Sequence, residues 1–126
     1  MVGATPSPRA SDRNWREYMI ASSKLTRILD HYREELHSIL GDDLKAVILY
    51  GSHARGNAHE GSDIDVLCVM REAFNYDDLM ERTSELTARM SLNEDVILSR
   101  TFVTEDDYEN GEWPFLINVR REGVSL

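Results

Sequence analysis

"YGSHARGNAHEGSDIDVLCVM", Tyr50 to Met70, joins a Gly-Ser bend to an apolar run headed by two acids. The second half, Asp63 to Met70, has the length and β-branched content of a buried strand. Side chains alternate along a strand, so Asp63, Asp65 and Leu67 are predicted on one face, with Ile64, Val66 and Cys68 on the other. Residues two apart on a strand are separated by roughly 6–7 Å. Two full negative charges about 6 Å apart repel by roughly 3 kcal/mol at an effective dielectric near ~20. That is a large share of a small domain's stability. Protonation, an Arg or Lys between them, or a divalent cation can offset the repulsion. Only the cation makes the pair useful, because hard Mg²⁺ takes carboxylate oxygens together with phosphate oxygens.

The bend upstream fits that chemistry. Gly51, directly after the apolar run Leu44 to Tyr50, lets the backbone approach a ligand. Ser52 adds a hydroxyl at the predicted start of a helical turn, where exposed amides favour an anion such as phosphate. Arg55 and Gly56 continue the pattern. A phosphate loop beside an acidic strand predicts a triphosphate grip next to its metal site.

Outward from this stretch, residues 1–10 carry small polar residues and two prolines and read as a flexible tail. Residues 11–126 then form one domain, starting with a long helix from Ser11 to Leu40 that contains neither Pro nor Gly. Trp15, Tyr18, Ser22, Leu25, Leu29, Tyr32, Leu36 and Ile39 recur at steps of three and four, which is one stripe on a helix. Gly41 supplies a left-handed cap. "LKAVILY" (Leu44 to Tyr50) predicts a buried strand, Tyr76 to Met90 a helix capped by Asn75, and "DVILSRTFV" (Asp95 to Val103) a third strand. Thr104 and Asp107 mark a short helix, and Phe115 to Glu122 a last one. The order helix, strand, strand, helix, strand, helix predicts an α+β fold: a small mixed β-sheet covered by helices.

At 126 residues, with 41% hydrophobic and 8% aromatic content, one soluble globular domain is expected. The longest uninterrupted apolar run, Ala46 to Tyr50, is far too short to span a bilayer. The opening residues lack the apolar stretch of a secretory signal, and a lone cysteine, Cys68, suits a reducing compartment, so a cytoplasmic location is expected. A net charge of −9 without a basic run argues against direct nucleic-acid binding. His53 and His59 read as solvated loop residues with no ligand spacing. Trp113, Phe115 and Tyr50 read as packing, and Cys68 as a small buried hydrophobe.

Gly51-Ser52, ten residues, then Asp63-Ile64-Asp65 resembles the signature of the nucleotidyltransferase superfamily, whose fold is that of DNA polymerase beta's catalytic domain. "GSHARGNAHEGSDIDV" is similar to its minimal, single-domain prokaryotic branch, and "PFLINVRREGVSL" resembles the ending of those proteins. The resemblance implies a third carboxylate on a later strand. Asp95 is the candidate, on the likeness of "EDVIL" to the family's third strand, with Glu94 the competitor because a one-residue shift flips the face. It further implies two Mg²⁺ ions held by Asp63, Asp65 and Asp95, ATP as substrate, and phosphates gripped by Gly51, Ser52 and Arg55. Asp95 would hold the catalytic metal and orient or deprotonate the attacking hydroxyl.

Single-domain members of this family commonly pair with HEPN-type ribonuclease toxins and act as antitoxins by transferring AMP to a toxin tyrosine. That is the function the resemblance implies here, with the long amphipathic helix a surface for such a partner or for a second copy in a homodimer. Two alternatives stand beside it. One is adenylylation of a small molecule such as an aminoglycoside. The other is a non-catalytic partner-binding module with a vestigial nucleotide site.

Overall fold

The computed structural model describes residues 23–59 and 61–126. The expected flexible tail, residues 1–10, and the helix portion 11–22 lie outside the described residues. Helix α1 spans Ser23–Leu40. Its stripe is buried as predicted: Leu29, Tyr32 and Leu36 are closed off from solvent. Gly41 ends it at φ +62, a left-handed conformation that only glycine adopts without a Cβ penalty.

A short 3₁₀ turn, Gly41–Asp43, leads into β1, Leu44–Tyr50. After the bend come α2 (Ser52–Arg55) and β2 (Ile64–Met70). Next follow α3 (Tyr76–Glu94) and β3 (Leu98–Thr104). Helices α4 (Glu105–Asn110) and α5 (Pro114–Glu122) precede a two-residue strand, β4 (Val124–Ser125). The predicted caps are present: Asn75 accepts from the Asp78 amide at 3.0 Å, and Thr104 from the Asp107 amide at 3.1 Å. Strand β4 was not predicted, because two residues carry no readable alternation. Its placement comes from pairing, with Leu49 opposite Val124 on β1.

The sheet order is β3-β2-β1-β4. β2 runs antiparallel to β1 and parallel to β3, and β4 runs antiparallel to β1. This is the expected α+β architecture, a mixed sheet with helices on both faces. One face packs α1 and α3 on Val47, Leu49, Val66 and Cys68. The other packs α4 and α5, through Tyr108, Leu116 and Val119, on Ile48, Leu67 and Val69. Each fully buried aliphatic side chain contributes roughly 1.5–3 kcal/mol. The alternation predicted for β2 is therefore observed: Ile64, Val66 and Cys68 enter one cluster and Leu67 the other. Tyr50 on β1 lies opposite Asp65 on β2, which lies opposite Ser99 on β3. This row crosses three strands at one end of the sheet, where the bend sits.

Candidate active site

The Gly51 backbone is left-handed at φ +78 and ψ −159, a region essentially reserved for glycine. Its carbonyl accepts from the amides of Ala54 and Arg55, both at 3.1 Å, closing one turn of α2. A side chain is excluded there for a second reason. A Cβ on Gly51 would stand 2.5 Å from Asp65 Oδ2. The bend and the second acid thus occupy one spot, although fourteen positions separate them in the chain.

Asp65 is half-buried at the start of β2, while Asp63 is exposed just ahead of the strand. Burial, and after it the charge of Asp63, push the Asp65 carboxyl above its ordinary range; His53 and Arg55 act in the opposite direction. The repulsion argued from spacing is present, opposed in part by nearby basic groups. Tyr50 flanks Asp65 on β1. Its phenol is raised mainly by burial, a weak 3.5 Å contact with Thr101 Oγ1 opposes the rise, and the Asp65 charge adds to it. Beside the bend opens a cleft of about 240 Å³ bordered by Tyr50, Gly51, Arg55, Phe115 and Glu122. Arg55 faces Glu122 at 3.5 Å, a half-exposed pair with modest energetic weight.

The structure brings Gly51, Ser52, Arg55, Asp63 and Asp65 to one end of the sheet, and it does not bring Asp95 into a common group with the two acids. The expectation had Asp95 heading the third strand; instead it is the exposed C-cap of α3, in the left-handed conformation at φ +53. The strand starts three residues later, at Leu98. The physical reason lies in α3, which continues past Met90 to Glu94 because neither Gly nor Pro interrupts it, and Asp tolerates the left-handed cap. Glu94, the competitor, is engaged elsewhere, accepting two bonds from Arg27 at 2.8 and 2.9 Å. Among the described residues no group of three or more His, Cys, Asp or Glu side chains could hold a metal ion. The three acids expected to share one site are therefore not gathered into one group here. Two carboxylates, hard oxygen donors beside a glycine cradle, suit divalent-cation binding shared with phosphate oxygens.

Three smaller expectations also change. His53 is not a solvated loop residue: it sits half-buried on α2, with Nε2 3.3 Å from the Ser62 carbonyl and its charge acting on Asp65. The signal available was its place one residue after the Gly-Ser bend, inside the same helical turn. Trp113 and Phe115 are not core packing. Trp113 is 66% exposed and Phe115 38% exposed, and Phe115 meets Tyr50 edge-on with ring centroids 5.3 Å apart. Cys68 is fully buried as expected, and burial pushes its thiol up to about 12. Among the described residues no helix is long and apolar enough to cross a membrane.

Residues 29–120 match the family described as a nucleotidyltransferase domain. A Methanocaldococcus jannaschii protein provisionally named a protein adenylyltransferase is 33% identical over 76 residues, 60% of this chain and 76% of the relative. A second from the same organism, with the same provisional name, is 33% identical over 84 residues, 66% of this chain and 78% of the relative. A crystal structure of a Sulfolobus solfataricus protein, provisionally named a nucleotidyltransferase, superposes with a TM-score of 0.59 at 21% identity, covering 83% of each chain. A crystal structure of a toxin–antitoxin with AMP-PNP gives a TM-score of 0.52 at 18% identity, covering 76% of this chain and 70% of that one. At those identities the structural likeness concerns the fold.

Proposed function

The chain belongs to the nucleotidyltransferase domain family, and from that membership we propose that it transfers AMP from ATP to a hydroxyl of a partner protein. The observation that carries the reading is the coincidence of the strained Gly51 bend with the Asp65 carboxylate, a cradle that a single Cβ would fill. Asp63 and Asp65 would hold a divalent cation, taken to be Mg²⁺. Bound there with a triphosphate, the cation supplies Lewis-acid neutralisation of phosphate charge. The Gly51 backbone and the Ser52 hydroxyl bind the distal phosphates, and Arg55 orients them from the edge of the cleft. The acceptor oxygen bonds to the α-phosphorus while the bond from that phosphorus to the departing pyrophosphate breaks. Positioning of the two reactants supplies most of the rate in such a transfer.

The acceptor we propose is a tyrosine of a HEPN-type toxin, which makes this chain an antitoxin working in the cytoplasm. Three things support it: the provisional names of the relatives, the fold shared with a protein crystallised in a toxin–antitoxin assembly with AMP-PNP, and a lone cysteine that is free and buried. One observation favours a second reading, a partner-binding module without catalysis. Among the described residues no third acid joins Asp63 and Asp65 in a group that could hold a metal ion. Incubation with Mg²⁺ and ATP labelled at the α-phosphate, with and without a candidate HEPN-type toxin, separates the two. Label on the toxin, lost in the Asp63→Ala, Asp65→Ala double variant, supports transfer. Neutralisation of the toxin without label, unchanged in that variant, overturns it.

A further inference from the structure

We infer that the acidic pair holds a single divalent cation and that Ser99 and Thr101, facing it from β3, place neutral hydroxyls where a second ion would need an anionic ligand. The inference rests on the nucleotidyl-transfer reading above and deepens it. β2 and β3 run parallel, with Asp65 opposite Ser99 and Leu67 opposite Thr101. Partners across a ladder share a face, so both hydroxyls stand on the Asp65 side of the sheet. Burial agrees, since Leu67 belongs to the α4–α5 cluster and Ser99 and Thr101 are half-buried.

No position of β3 is acidic: Leu98 to Thr104 reads LSRTFVT. On the other flank of Asp65 stands Tyr50. Its hydroxyl reaches 3.5 Å from Thr101 Oγ1, closing the same strip with a third neutral group. Hydroxyls of Ser, Thr and Tyr stay protonated near neutral pH and offer only neutral oxygens. Hard divalent cations held by proteins draw chiefly on carboxylates and substrate phosphates. Asp63 and Asp65 meet that requirement once. Asp95 does not extend it: its backbone caps α3, and among the described residues it joins the pair in no group that could hold a metal ion. In the transfer, the acceptor proton therefore passes to solvent water rather than to a carboxylate on β3. The new bond still forms from the acceptor oxygen to the α-phosphorus as pyrophosphate leaves.

The test counts ions without turnover. The full chain is titrated with Mn²⁺ at saturating α,β-methylene-ATP, and bound Mn²⁺ is read by electron paramagnetic resonance and calorimetry. One Mn²⁺ per chain is expected for the natural protein, and one also for Asp95→Ala. Ser99→Asp and Thr101→Asp each add a carboxylate to the face, and at least one of them is expected to bind two. Circular dichroism checks that each variant is folded, and the count on the natural protein stands whether or not they are. Two Mn²⁺ on the natural protein with nucleotide bound overturns the single-ion inference and leaves the transfer reading intact. Loss of the ion in Asp95→Ala, or one ion in both folded aspartate variants, overturns it as well. No nucleotide-dependent Mn²⁺ uptake at all overturns this inference and the transfer reading together.

Discussion

Replacing Gly51 with alanine introduces two separate costs that the structure allows to be told apart. The first is backbone strain. At φ +78 and ψ −159 the position lies where L side chains are essentially not found, and holding one there costs about 1–3 kcal/mol. The second is steric. The new Cβ meets Asp65 Oδ2 at 2.5 Å, so the carboxylate must retreat by roughly 0.5–1 Å to reach ordinary contact. A reacting group misplaced by about 1 Å costs on the order of 100-fold in rate. Gly41→Ala is the matched control, with a left-handed φ of +62 and nothing within 4 Å of the added carbon. It should lose about 1–2 kcal/mol through strain alone and keep full activity. Urea denaturation measures the stabilities, and transfer of α-labelled AMP to the toxin measures the rates. Against a total stability of about 5–15 kcal/mol, both variants should remain folded. If Gly51→Ala transfers AMP as fast as Gly41→Ala, the bend does not position Asp65 and the reasoning fails.

Asp65→Asn should abolish transfer yet raise the thermal midpoint in cation-free buffer at pH 7. Because the folded carboxyl is held above its ordinary range by burial and by Asp63, its ionised form is penalised in the fold. The natural protein therefore loses stability as pH rises through that titration, and the asparagine gain should vanish in acid. Tyr32→Phe should cost about 1 kcal/mol at pH 7, because it removes a buried 2.7 Å bond to Thr87 Oγ1. The Thr87 hydroxyl already donates to the Thr83 carbonyl at 2.8 Å, so the phenol is the donor. Burial pushes that phenol up from 10.0 to about 12. Stability tied to it is intact below pH 10 and declines toward pH 12, as unfolded chains ionise first, so Tyr32→Phe should flatten the alkaline decline measured by denaturation.

Much of this organisation is legible one residue at a time. The stripe through Leu29, Tyr32 and Leu36 follows from helical period, and the split of Ile64, Val66 and Cys68 from Leu67 follows from strand alternation. The Asn75 and Thr104 caps rest on side chains that bond amides three residues on. These are local rules, with few competitors over a handful of residues. Asp95 shows where they stop. Whether it heads a strand or caps a helix depends on where α3 ends, and the apolar stripe has already run out at Met90. Phe115 differs from expectation for a related cause, since its place against Tyr50 comes from a segment distant in the chain.

By itself, then, the amino-acid order determined most of the helices and strands, the faces they bury, and the closeness of Asp63 and Asp65 to a glycine bend. Each of these follows from backbone period and from charges only two residues apart. The tertiary structure alone decided that the Asp65 carboxylate fills the space where a Gly51 side chain would stand, and that Ser99 of β3 lies opposite Asp65. Such relations arise from strand register, which is set by how the whole sheet packs between its helices, and no short window of sequence contains that information.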